Sequence, residues 1–491
     1  MSESGLAVRL DVKLRPDPRR VIARLFVPGE ELPEGASRGR SVIDRIQELD
    51  DATVSACMAG ILAGFAGRHR DLEAILHKHF QVAAHGRPEI ARLPEAHQLL
   101  VGAYFTMEYA VESAALFNPS MVAHPDQTGL APGQLRFVMS VRAVGEGHLS
   151  SVEFRTGILG PGSGLVIDEP DRTLVTGVHT PGVYHRELFQ ARLADLGADR
   201  ATVELVLGSL PDRFDLARLR GALSAQRAYL RDRQSALRAI EQINQVADAN
   251  YTVTFPPDSP IGQRVLWPGS SVESHGMEDV RLVRFVGDDG ESSYYGTYTA
   301  YDGDRIAPQL FTTTDFAAFE VGQLAGPAAR NKGMAMFPRR LAGRYLALSR
   351  WDRENVSLCM SDDAQVWHHA ETLQTPREPW QLVQLGNCGS PIDTGDGWLV
   401  LTHGVGPMRT YSIGVMLLDH DNPAQVRAAL RAPLLAADNE ERDGYVPNVV
   451  YSCGALLHGD TLTVPYGISD AAIGFAQVDL PTLLHRMRQD G

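Results

Sequence analysis

Cysteine is scarce in this sequence, and several familiar catalytic motifs are missing from it. The 491 residues include four cysteines, Cys57, Cys359, Cys388 and Cys453. No two of them form a CxxC pair, so their spacing favours neither a zinc site nor a disulfide framework. The sequence contains no HExxH motif and no GxSxG nucleophile elbow. These gaps argue against a zinc protease and against a serine hydrolase of the α/β type.

Positive charge is also in short supply. The chain has 46 Lys and Arg residues against 60 Asp and Glu residues, for a formal net charge of -14 at pH 7. A nucleic-acid-binding domain needs a basic footprint, and binding to anionic lipid needs basic clusters. The composition therefore predicts no nucleic-acid partner and no anionic membrane partner, whereas a neutral ligand such as a sugar is compatible with it.

Long hydrophobic runs are missing as well. No segment approaches the ~20 apolar residues that span a bilayer. The first residues, MSESGLAVRLDVKLRP, lack the basic head and apolar core of a signal peptide. We therefore expect a cytoplasmic protein with no membrane partner. The hydrophobic fraction of 44% and the charged fraction of 22% are those of an ordinary globular chain.

The first 115 residues have the apolar spacing of helices. Ser41 stands before the run VIDRIQEL and is a candidate N-cap. The segment that begins at His97, HQLLVGAYFTMEYAVESAALF, is predicted as one long and largely buried helix. We predict a mostly helical region over residues 1–115 and a β-rich domain over residues 116–485.

From Phe117 onward, short strands and glycine turns replace the helical pattern. Five segments each carry an alternating apolar and aromatic strand that ends in polar or charged residues: LRFVMSVRAVGEG from position 135, SSYYGTYTAYDGD from 292, GRYLALSRWDREN from 343, GWLVLTHGVGPMR from 397 and DTLTVPYGISDA from 460. The last four begin roughly 50 to 65 residues apart, an interval that suits four-stranded propeller blades. The sequence therefore predicts a mainly β fold, a five-bladed β-propeller.

The wide gap between the first two segments is predicted to hold a helical insertion, about residues 190–250. Its apolar residues recur at spacings of three, four and seven, with arginines between them, which is an amphipathic pattern. The apolar positions are Leu216, Leu219, Leu223, Leu230, Leu237, Ile240, Ile243 and Val246, and the basic ones are Arg218, Arg227, Arg231 and Arg238. Such a stripe either packs on its own domain or binds a second copy of the chain, so a homo-oligomer is an open expectation.

Polar side chains recur at equivalent ends of the five segments and in the stretches between them. In a propeller, the strand ends nearest the axis converge on one funnel, so these side chains are expected to meet there. A mixture of acids, bases and amides suits a polyhydroxylated ligand with an anion beside it. The residues are Arg142, Asp302, Arg350, His403 and Asp470 at the segment ends, and Asn118, Glu278, Asp279, Arg281, Asn331, Lys332, Asn387 and Asn448 between them.

Each of these residues also has a purely structural interpretation. Asp279 with Arg281 is open to interpretation as an ion pair at the start of a strand. His403 is open to interpretation as a buried core histidine, and Lys332 and Arg350 as solvated surface charges. Their recurrence at equivalent places of a repeat favours a shared site over these separate explanations.

From about Phe117 to Leu484 the chain resembles glycoside hydrolase family 130, whose members are five-bladed propellers that cleave β-mannosides by phosphorolysis or, in some members, by hydrolysis. The resemblance lies in an ordered set of stretches that spans all the repeats: FNPSMVAHPD, GMEDVRLVRF with YGTYTAYDG, NKGMAMFPRRLAGRYLALSR, GNCGSPIDTGDGWLVLTHGV, YSIGVMLLDHDNP and GYVPNVVYSCGALLHGDTLTVPYGISD. The first 115 residues and the helical insertion lie outside the usual core of the family.

The resemblance implies one catalytic acid, Asp279, with Val280 in place of the proline of the family motif. In this family the acid protonates the leaving oxygen through the 3-hydroxyl of the mannose, and phosphate attacks the anomeric carbon from the opposite face. A single acid suffices because phosphate is already an anionic nucleophile. Hydrolysis would need a second carboxylate, roughly 6.5–9.5 Å from the first, to activate water.

The resemblance also implies a phosphate site and a sugar site. The phosphate-binding positions are Lys332, Arg350, Gln384, His403 and Tyr411, and the substrate-binding positions are Asn118, Arg142, Arg281 and Asp470. Gln384 stands where phosphorylases usually have lysine, and Lys332 stands where arginine is common. No metal or organic cofactor is implied, and inorganic phosphate would be a co-substrate.

Three functions therefore stay open. The first is an inverting β-mannoside phosphorylase that acts on an oligosaccharide and releases α-mannose 1-phosphate. The second is an inverting β-mannosidase of the same family, which Gln384 favours and which would need a base. The third is a non-catalytic glycan-binding propeller. The candidates for the hydrolytic base are Glu153, Glu273, Glu278, Glu440 and Glu441.

Overall fold

The computed structural model describes residues 5–29, 37–161, 164–226 and 234–490. The helices in these ranges are α1 (Arg38–Gln47), α2 (Asp51–Phe65), α3 (Leu72–Ala83), α4 (Glu95–Tyr104), α5 (Arg186–Asp195), α6 (Arg200–Leu207), α7 (Leu216–Ala225), α8 (Gln234–Asp248) and α9 (Leu480–Asp490).

Strands make up most of the regular structure from residue 106 onward, and two further described strands precede helix α1. They are β1 (Ala7–Leu14), β2 (Val21–Leu25), β3 (Thr106–Ala110), β4 (Ala115–Ala123), β5 (Leu135–Val144), β6 (Ser150–Leu159), β7 (Leu165–Ile167), β8 (Val175–Thr176), β9 (Val178–Pro181), β10 (Tyr184–His185), β11 (Arg213–Phe214), β12 (Tyr251–Thr254), β13 (Arg264–Leu266), β14 (Gly276–Val286), β15 (Ser292–Tyr301), β16 (Ile306–Thr313), β17 (Ala318–Gln323), β18 (Ala335–Met336), β19 (Tyr345–Ser349), β20 (Val356–Ser361), β21 (His369–Gln374), β22 (Gln384–Asn387), β23 (Ile392–Asp393), β24 (Trp398–Val405), β25 (Tyr411–Leu418), β26 (Val426–Ala429), β27 (Leu435–Ala436), β28 (Val450–Tyr451), β29 (Leu456–His458), β30 (Thr461–Ile468) and β31 (Ala472–Asp479). The prediction of a mainly β chain with helical parts is confirmed.

Antiparallel hairpins build the large sheets. One sheet runs in the order β4-β5-β6-β14-β15-β16-β17-β12-β9, and a second in the order β18-β19-β20-β21. A third has the order β22-β24-β25-β26, and a fourth the order β1-β31-β30-β28. The predicted repeat strands are β5, β15, β19, β24 and β30, and each of them pairs with neighbours on both sides. Their apolar faces lie in the cores between the sheets, such as the cluster of Leu399, Leu401, Val464 and Ala476.

Strand β1 pairs with the last strand of the domain. Its register with β31 is antiparallel, from Ala7 opposite Val478 to Leu14 opposite Ile473, with one irregularity between Leu10 and Lys13. The first residues of the chain therefore complete a sheet whose other strands lie near residues 450–479. The prediction of helix for residues 1–115 did not include this strand.

The described chain divides into two compact units. One consists of residues 1–16, 114–170 and 177–491, and the other of residues 17–113 and 171–176. The predicted boundary at residue 115 stays a prediction. In the smaller unit the helices α1 to α4 pack around Val54, Leu76, Leu100 and Val101. A buried ion pair joins Arg20 Nε to Glu112 Oε1 at 2.7 Å in the same unit.

Two local predictions in the smaller unit were wrong. Helix α1 begins at Arg38, so Ser41 lies inside it, and the side chains that cap the next two helices, α2 and α3, are aspartates. Asp50 accepts a hydrogen bond from the Thr53 N–H at 2.7 Å. The predicted long helix from His97 ends at Tyr104, because the following residues pair with β2, from Thr106 opposite Leu25 to Ala110 opposite Val21. Pairing with a strand distant in sequence has overridden the local helical pattern.

The helical insertion forms a core of its own. Helices α5 to α8 cover residues 186–248 with gaps, and Leu219, Ile243 and Val246 of the predicted stripe are buried among them. Leu237 is exposed. Leu230, Arg227 and Arg231 lie outside the described residues.

One hydropathy finding concerns the helices of the smaller unit. Among the described residues no single helix is long and apolar enough to cross a membrane, although α1 and residues 51–68 pass by length and composition as a pair bent by 117°.

Candidate active site

The strands β4 and β14 carry matching irregularities at Asn118 and Asp279. The pairing of β4 with β5 shifts between Phe117 and Ser120, and the pairing of β14 with β15 shifts between Glu278 and Arg281. Asn118 has a φ of 49° and Asp279 a φ of 59°, in the left-handed region that few residues other than glycine adopt. Such bulges re-aim side chains, and here Asn118 Nδ2 donates to Asp279 Oδ1 at 2.7 Å.

Asp279 lies in a positive environment. Arg142 Nη1 is 3.2 Å from Asp279 Oδ1, and Arg281 Nη1 donates to the backbone oxygen of Asp279 at 3.0 Å. Burial alone would raise the pKa of Asp279. The charges of Arg142, Lys332 and Arg281 outweigh burial and lower that pKa to about 2. In the free protein Asp279 is therefore a carboxylate at neutral pH.

Glu278, next to Asp279 in the chain, forms ion pairs with two cations. Arg142 Nη2 donates to Glu278 Oε1 at 2.7 Å, while Lys332 Nζ forms an ion pair with Glu278 Oε2. Arg142 thus bridges both carboxylates of the stretch GMEDVRLVRF. The predicted phosphate ligand Lys332 has its charge compensated by Glu278, so it is not a free cation in this structure.

Asp470 is a third carboxyl group in the cluster around Asp279. It has a φ of 50° and follows β30. Burial, together with the charge of Asp279, raises the pKa of Asp470 to about 7, although Arg142 and Arg409 act in the opposite direction. The environment therefore drives the pKa values of Asp279 and Asp470 apart, an arrangement that lets one carboxyl group stay ionised while the other holds a proton.

Arg350 and His403 meet on the other side of the cluster. Arg350 Nη1 lies 3.2 Å from His403 Nε2. The approach depends on Gly386, because a Cβ at that position would lie 2.4 Å from His403 Cε1 and 3.2 Å from Arg350 Cδ. Burial and the nearby Arg350 and Arg281 charges hold the pKa of His403 well below its usual range, so the imidazole is neutral. Burial also lowers the pKa of Arg350.

Two tyrosines complete this region. The ring of Tyr411 lies 6.2 Å from that of His403 and nearly parallel to it. The ring of Tyr451 meets His403 edge to face at 4.8 Å, and its hydroxyl oxygen accepts a hydrogen bond from Arg281 Nη2 at 2.7 Å. Tyr451 was not singled out from the sequence. The signal for it was its place in GYVPNVVYSCGALL, a stretch that carries the family resemblance.

Two other predicted polar residues form hydrogen bonds with residues near them in the sequence. Asp302 Oδ1 accepts from the backbone N–H groups of Asp304 and Arg305 in a hairpin turn. Asn448 Oδ1 accepts from Arg442 Nε at 3.2 Å. Gln384 is partly buried on β22, opposite Val405, two residues before Gly386 on the same face of the strand.

Three of the five carboxylates considered as hydrolytic bases are hydrogen-bonded to other groups of the protein. Glu153 Oε2 accepts from Arg155 Nη1 at 3.2 Å. Glu273 accepts from the hydroxyls of Tyr251 and Tyr298. Glu441 pairs with Arg9 and accepts from Tyr466 Oη at 2.6 Å. Of the candidates, Glu278 is the one that lies next to Asp279, and it is held by two cations.

Several buried polar atoms of the cluster have no protein partner. Unpaired buried donors and acceptors are costly unless a ligand or water satisfies them, so these atoms favour a binding site here. In the described part of the chain, such atoms include Asn118 Oδ1, Arg142 Nε, Arg281 Nε, Arg350 Nε, both amide atoms of Asn387, and His403 Nδ1. The described residues contain no group of three or more His, Cys, Asp or Glu side chains that could hold a metal ion.

Comparison with known proteins identifies the family. A family model described as beta-1,4-mannooligosaccharide phosphorylase matches residues 258–489. A 1,2-beta-oligomannan phosphorylase from Thermoanaerobacter sp. is 33% identical over 214 residues, which is 42% of this chain and 70% of that protein. The chain belongs to glycoside hydrolase family 130. A beta-1,2-mannobiose phosphorylase from Listeria innocua is 29% identical over 230 residues, 45% of this chain and 63% of that protein.

Solved structures of family 130 are also similar. A Listeria innocua beta-1,2-mannobiose phosphorylase in complex with beta-1,2-mannobiose matches 77% of this chain and 92% of its own, with 20% sequence identity and a TM-score of 0.45. The residues that the family-130 model matches include most of the candidate site of this chain. Asp279, Lys332, Arg350, Gln384, His403, Tyr411 and Asp470 fall inside the matched residues 258–489, and Asn118 and Arg142 precede them.

Proposed function

We propose that this family-130 chain is an inverting β-mannoside phosphorylase. The bond from the anomeric carbon to the leaving oxygen breaks, and a bond from that carbon to a phosphate oxygen forms on the opposite face. The products are α-mannose 1-phosphate and the shortened sugar, whose oxygen receives a proton. The relatives named as phosphorylases of β-1,2- and β-1,4-linked mannosides support this reaction class.

The observation that carries the proposal is the partly buried guanidinium of Arg350. Among the described residues its side-chain partner is a neutral imidazole, that of His403, and its buried Nε has no partner. A cation that is partly removed from water and lies beside a neutral group is costly, and a bound anion would compensate it. Arginine is also suited to bidentate recognition of phosphate.

Asp279 is the proposed acid, and anion binding would prepare it for that role. In the free protein the surrounding cations keep the pKa of Asp279 low, at about 2. A phosphate held near Arg350 would offset part of that positive charge, and a bound sugar would exclude water. Both changes favour the protonated carboxyl group. Asn118 and Arg142 then orient the acid through their hydrogen bonds to Asp279 Oδ1.

We also infer the five-bladed propeller from the sheet order. The strands divide into five antiparallel groups of four: β4 to β7, β14 to β17, β18 to β21, β22 with β24 to β26, and β28, β30 and β31 with β1. Each of the five groups contributes to the cluster around Asp279: Asn118 lies on β4, Asp279 on β14 and His403 on β24, while Arg350 follows β19 and Asp470 follows β30. Convergence on one axis accounts for that pattern.

Hydrolysis is the second candidate, and Gln384 is the observation that favours it. A neutral amide at this position removes one cation from the expected phosphate site. Yet Glu153, Glu273 and Glu441 are hydrogen-bonded in other parts of the fold, and Glu278, next to Asp279, is paired with Arg142 and Lys332. This disposition favours phosphate over water as the nucleophile.

An assay in two tubes tests the proposal. The protein is incubated with a panel of β-linked mannobioses, with and without inorganic phosphate, and mannose 1-phosphate and free mannose are quantified. We expect mannose 1-phosphate only in the tube that contains phosphate. Equal release of free mannose in both tubes would overturn the phosphorylase and favour the hydrolase. No product from any mannobiose would favour a glycan-binding protein.

A further inference from the structure

Asn387, the last residue of β22, has an unusual side chain. The residue is 0% exposed, and neither its amide nitrogen nor its amide oxygen has a hydrogen-bond partner among the described residues. An amide can donate two hydrogen bonds and accept two. A fully buried amide that makes none loses its hydration without compensation, so a ligand at this position would recover a large free-energy cost.

The surroundings place this amide beside Arg350. A Cβ added to Gly333 would lie 3.5 Å from Arg350 Cβ and 3.6 Å from Asn387 Oδ1, so the two side chains flank the same glycine. Gly333 has a φ of 100°, which favours glycine on backbone grounds as well. On the other side, Gly386 precedes Asn387 and leaves the room in which Arg350 meets His403.

Among the described residues predicted to bind phosphate, Arg350 is the cation for which the structure shows no ion pair with a carboxylate. Lys332 is paired with Glu278, His403 is neutral, and Gln384 carries no charge. Arg350 alone would leave a phosphate incompletely bound. Neutral donors and acceptors must supply the remaining hydrogen bonds, and Asn387 is the buried group beside Arg350 with both kinds unused.

We propose that Asn387 binds the phosphate co-substrate, its Nδ2 donating to one oxygen and its Oδ1 accepting from a protonated oxygen. This inference rests on the proposed phosphorylase function. An acceptor in the site selects an oxyanion that carries a proton. Inorganic phosphate carries at least one at neutral pH, whereas sulfate carries none and would leave Oδ1 unpaired. Sites built on hydrogen bonds discriminate strongly against ligands that leave a buried group unpaired.

The test compares phosphate with sulfate in the wild-type protein and in Asn387→Ala. In the wild type we expect sulfate to compete with phosphate at least tenfold more weakly than phosphate binds. In Asn387→Ala we expect the KM for phosphate to rise about tenfold or more, the KM for the mannobioside to change less than twofold, and the preference for phosphate over sulfate to shrink. Asn250→Ala is the matched control, because its amide is bound to the Val246 oxygen at 2.6 Å in the helical insertion, and we expect unchanged phosphate kinetics.

The outcomes separate this inference from the proposed function. Turnover that does not depend on phosphate in the wild type would overturn both. Phosphate-dependent turnover with an unchanged phosphate KM in Asn387→Ala would overturn the role of Asn387 alone. If Asn387→Ala does not fold, the wild-type competition still decides, because sulfate that binds as tightly as phosphate contradicts a proton-recognising acceptor.

Discussion

At the scale of single residues, backbone conformation aims the reactive groups. Asn118, Asp279 and Asp470 all have positive φ values, between 49° and 59°. Each such residue costs of order 1–3 kcal/mol, and this cost is typical of functional sites. The bulges turn Asn118 and Asp279 toward each other, and the cations around them fix which carboxyl group is ionised.

Asp279→Asn tests the proposed acid. Asparagine keeps the shape and can still accept the hydrogen bonds of Asn118 and Arg142, but it has no proton of suitable acidity to transfer. We expect turnover to fall by at least about 10²-fold while the fold is retained. Initial rates and thermal unfolding check this. Asp304→Asn, whose side chain is 90% exposed, is the matched control and should leave turnover unchanged. Near wild-type activity in Asp279→Asn would end the assignment.

Asp470→Asn tests the raised pKa by its effect on stability. A carboxyl group whose pKa is higher in the folded state stabilises the fold fully below its unfolded pKa, about 3.9, and loses that contribution as pH rises through the folded value of about 7. The loss approaches about 1.4 kcal/mol per pH unit within this window. The unfolding temperature of the wild type should therefore fall more between pH 5 and pH 8 than that of Asp470→Asn. Parallel pH profiles of the two proteins would show that Asp470 titrates normally.

At the scale of elements, strand β1 is positioned by antiparallel pairing with strand β31. Strand β1 pairs with β31, and Leu10 packs with Ile473 and Phe475 while Val8 has 65% of its surface exposed. The two residues are two positions apart and share one side of the strand, so the contrast follows from their neighbours: Leu10 lies opposite Phe475, and Val8 lies opposite Gln477.

Leu10→Asp and Val8→Asp form a matched pair that tests this contact. Both changes introduce one carboxylate into the same strand. We expect Leu10→Asp to lower the free energy of unfolding by about 1–3 kcal/mol, because it places a charge against apolar neighbours, and Val8→Asp to change it by about 0.5 kcal/mol or less. Chemical or thermal unfolding measures both. Equal effects would mean that β1 does not pack on β31 in solution.

The sequence allowed the repeat strands to be predicted because each combines a period of two with a polar end. It did not allow β1 to be predicted, because its register depends on a partner more than 450 residues away. The predicted helix from His97 failed for a related reason, since Thr106–Ala110 pairs with β2. The local spacing of apolar residues indicates which side of a segment is buried. It does not indicate which distant segment a strand pairs with, and that pairing decides the structure of β1 and of Thr106–Ala110.

At the scale of the whole molecule, strands from every large sheet supply the site, so its electrostatics could not be predicted from any one motif. The family resemblance indicated Asp279, Asn118, Arg142 and Asp470, and the structure places Asn118 and Arg142 in contact with Asp279. It gave no indication that Glu278 would neutralise Lys332. That pairing depends on a contact between residues 54 positions apart in the sequence.

The measurement that tests phosphorolysis with inversion most directly is nuclear magnetic resonance of the first-formed product. The protein is mixed with a β-mannobiose and inorganic phosphate, and proton and phosphorus spectra are recorded before the products can re-equilibrate. We predict α-mannose 1-phosphate as the initial product, because phosphate enters opposite the leaving oxygen that Asp279 serves. A β-linked sugar phosphate, or free mannose with phosphate unconsumed, would contradict a single acid acting with phosphate held near Arg350.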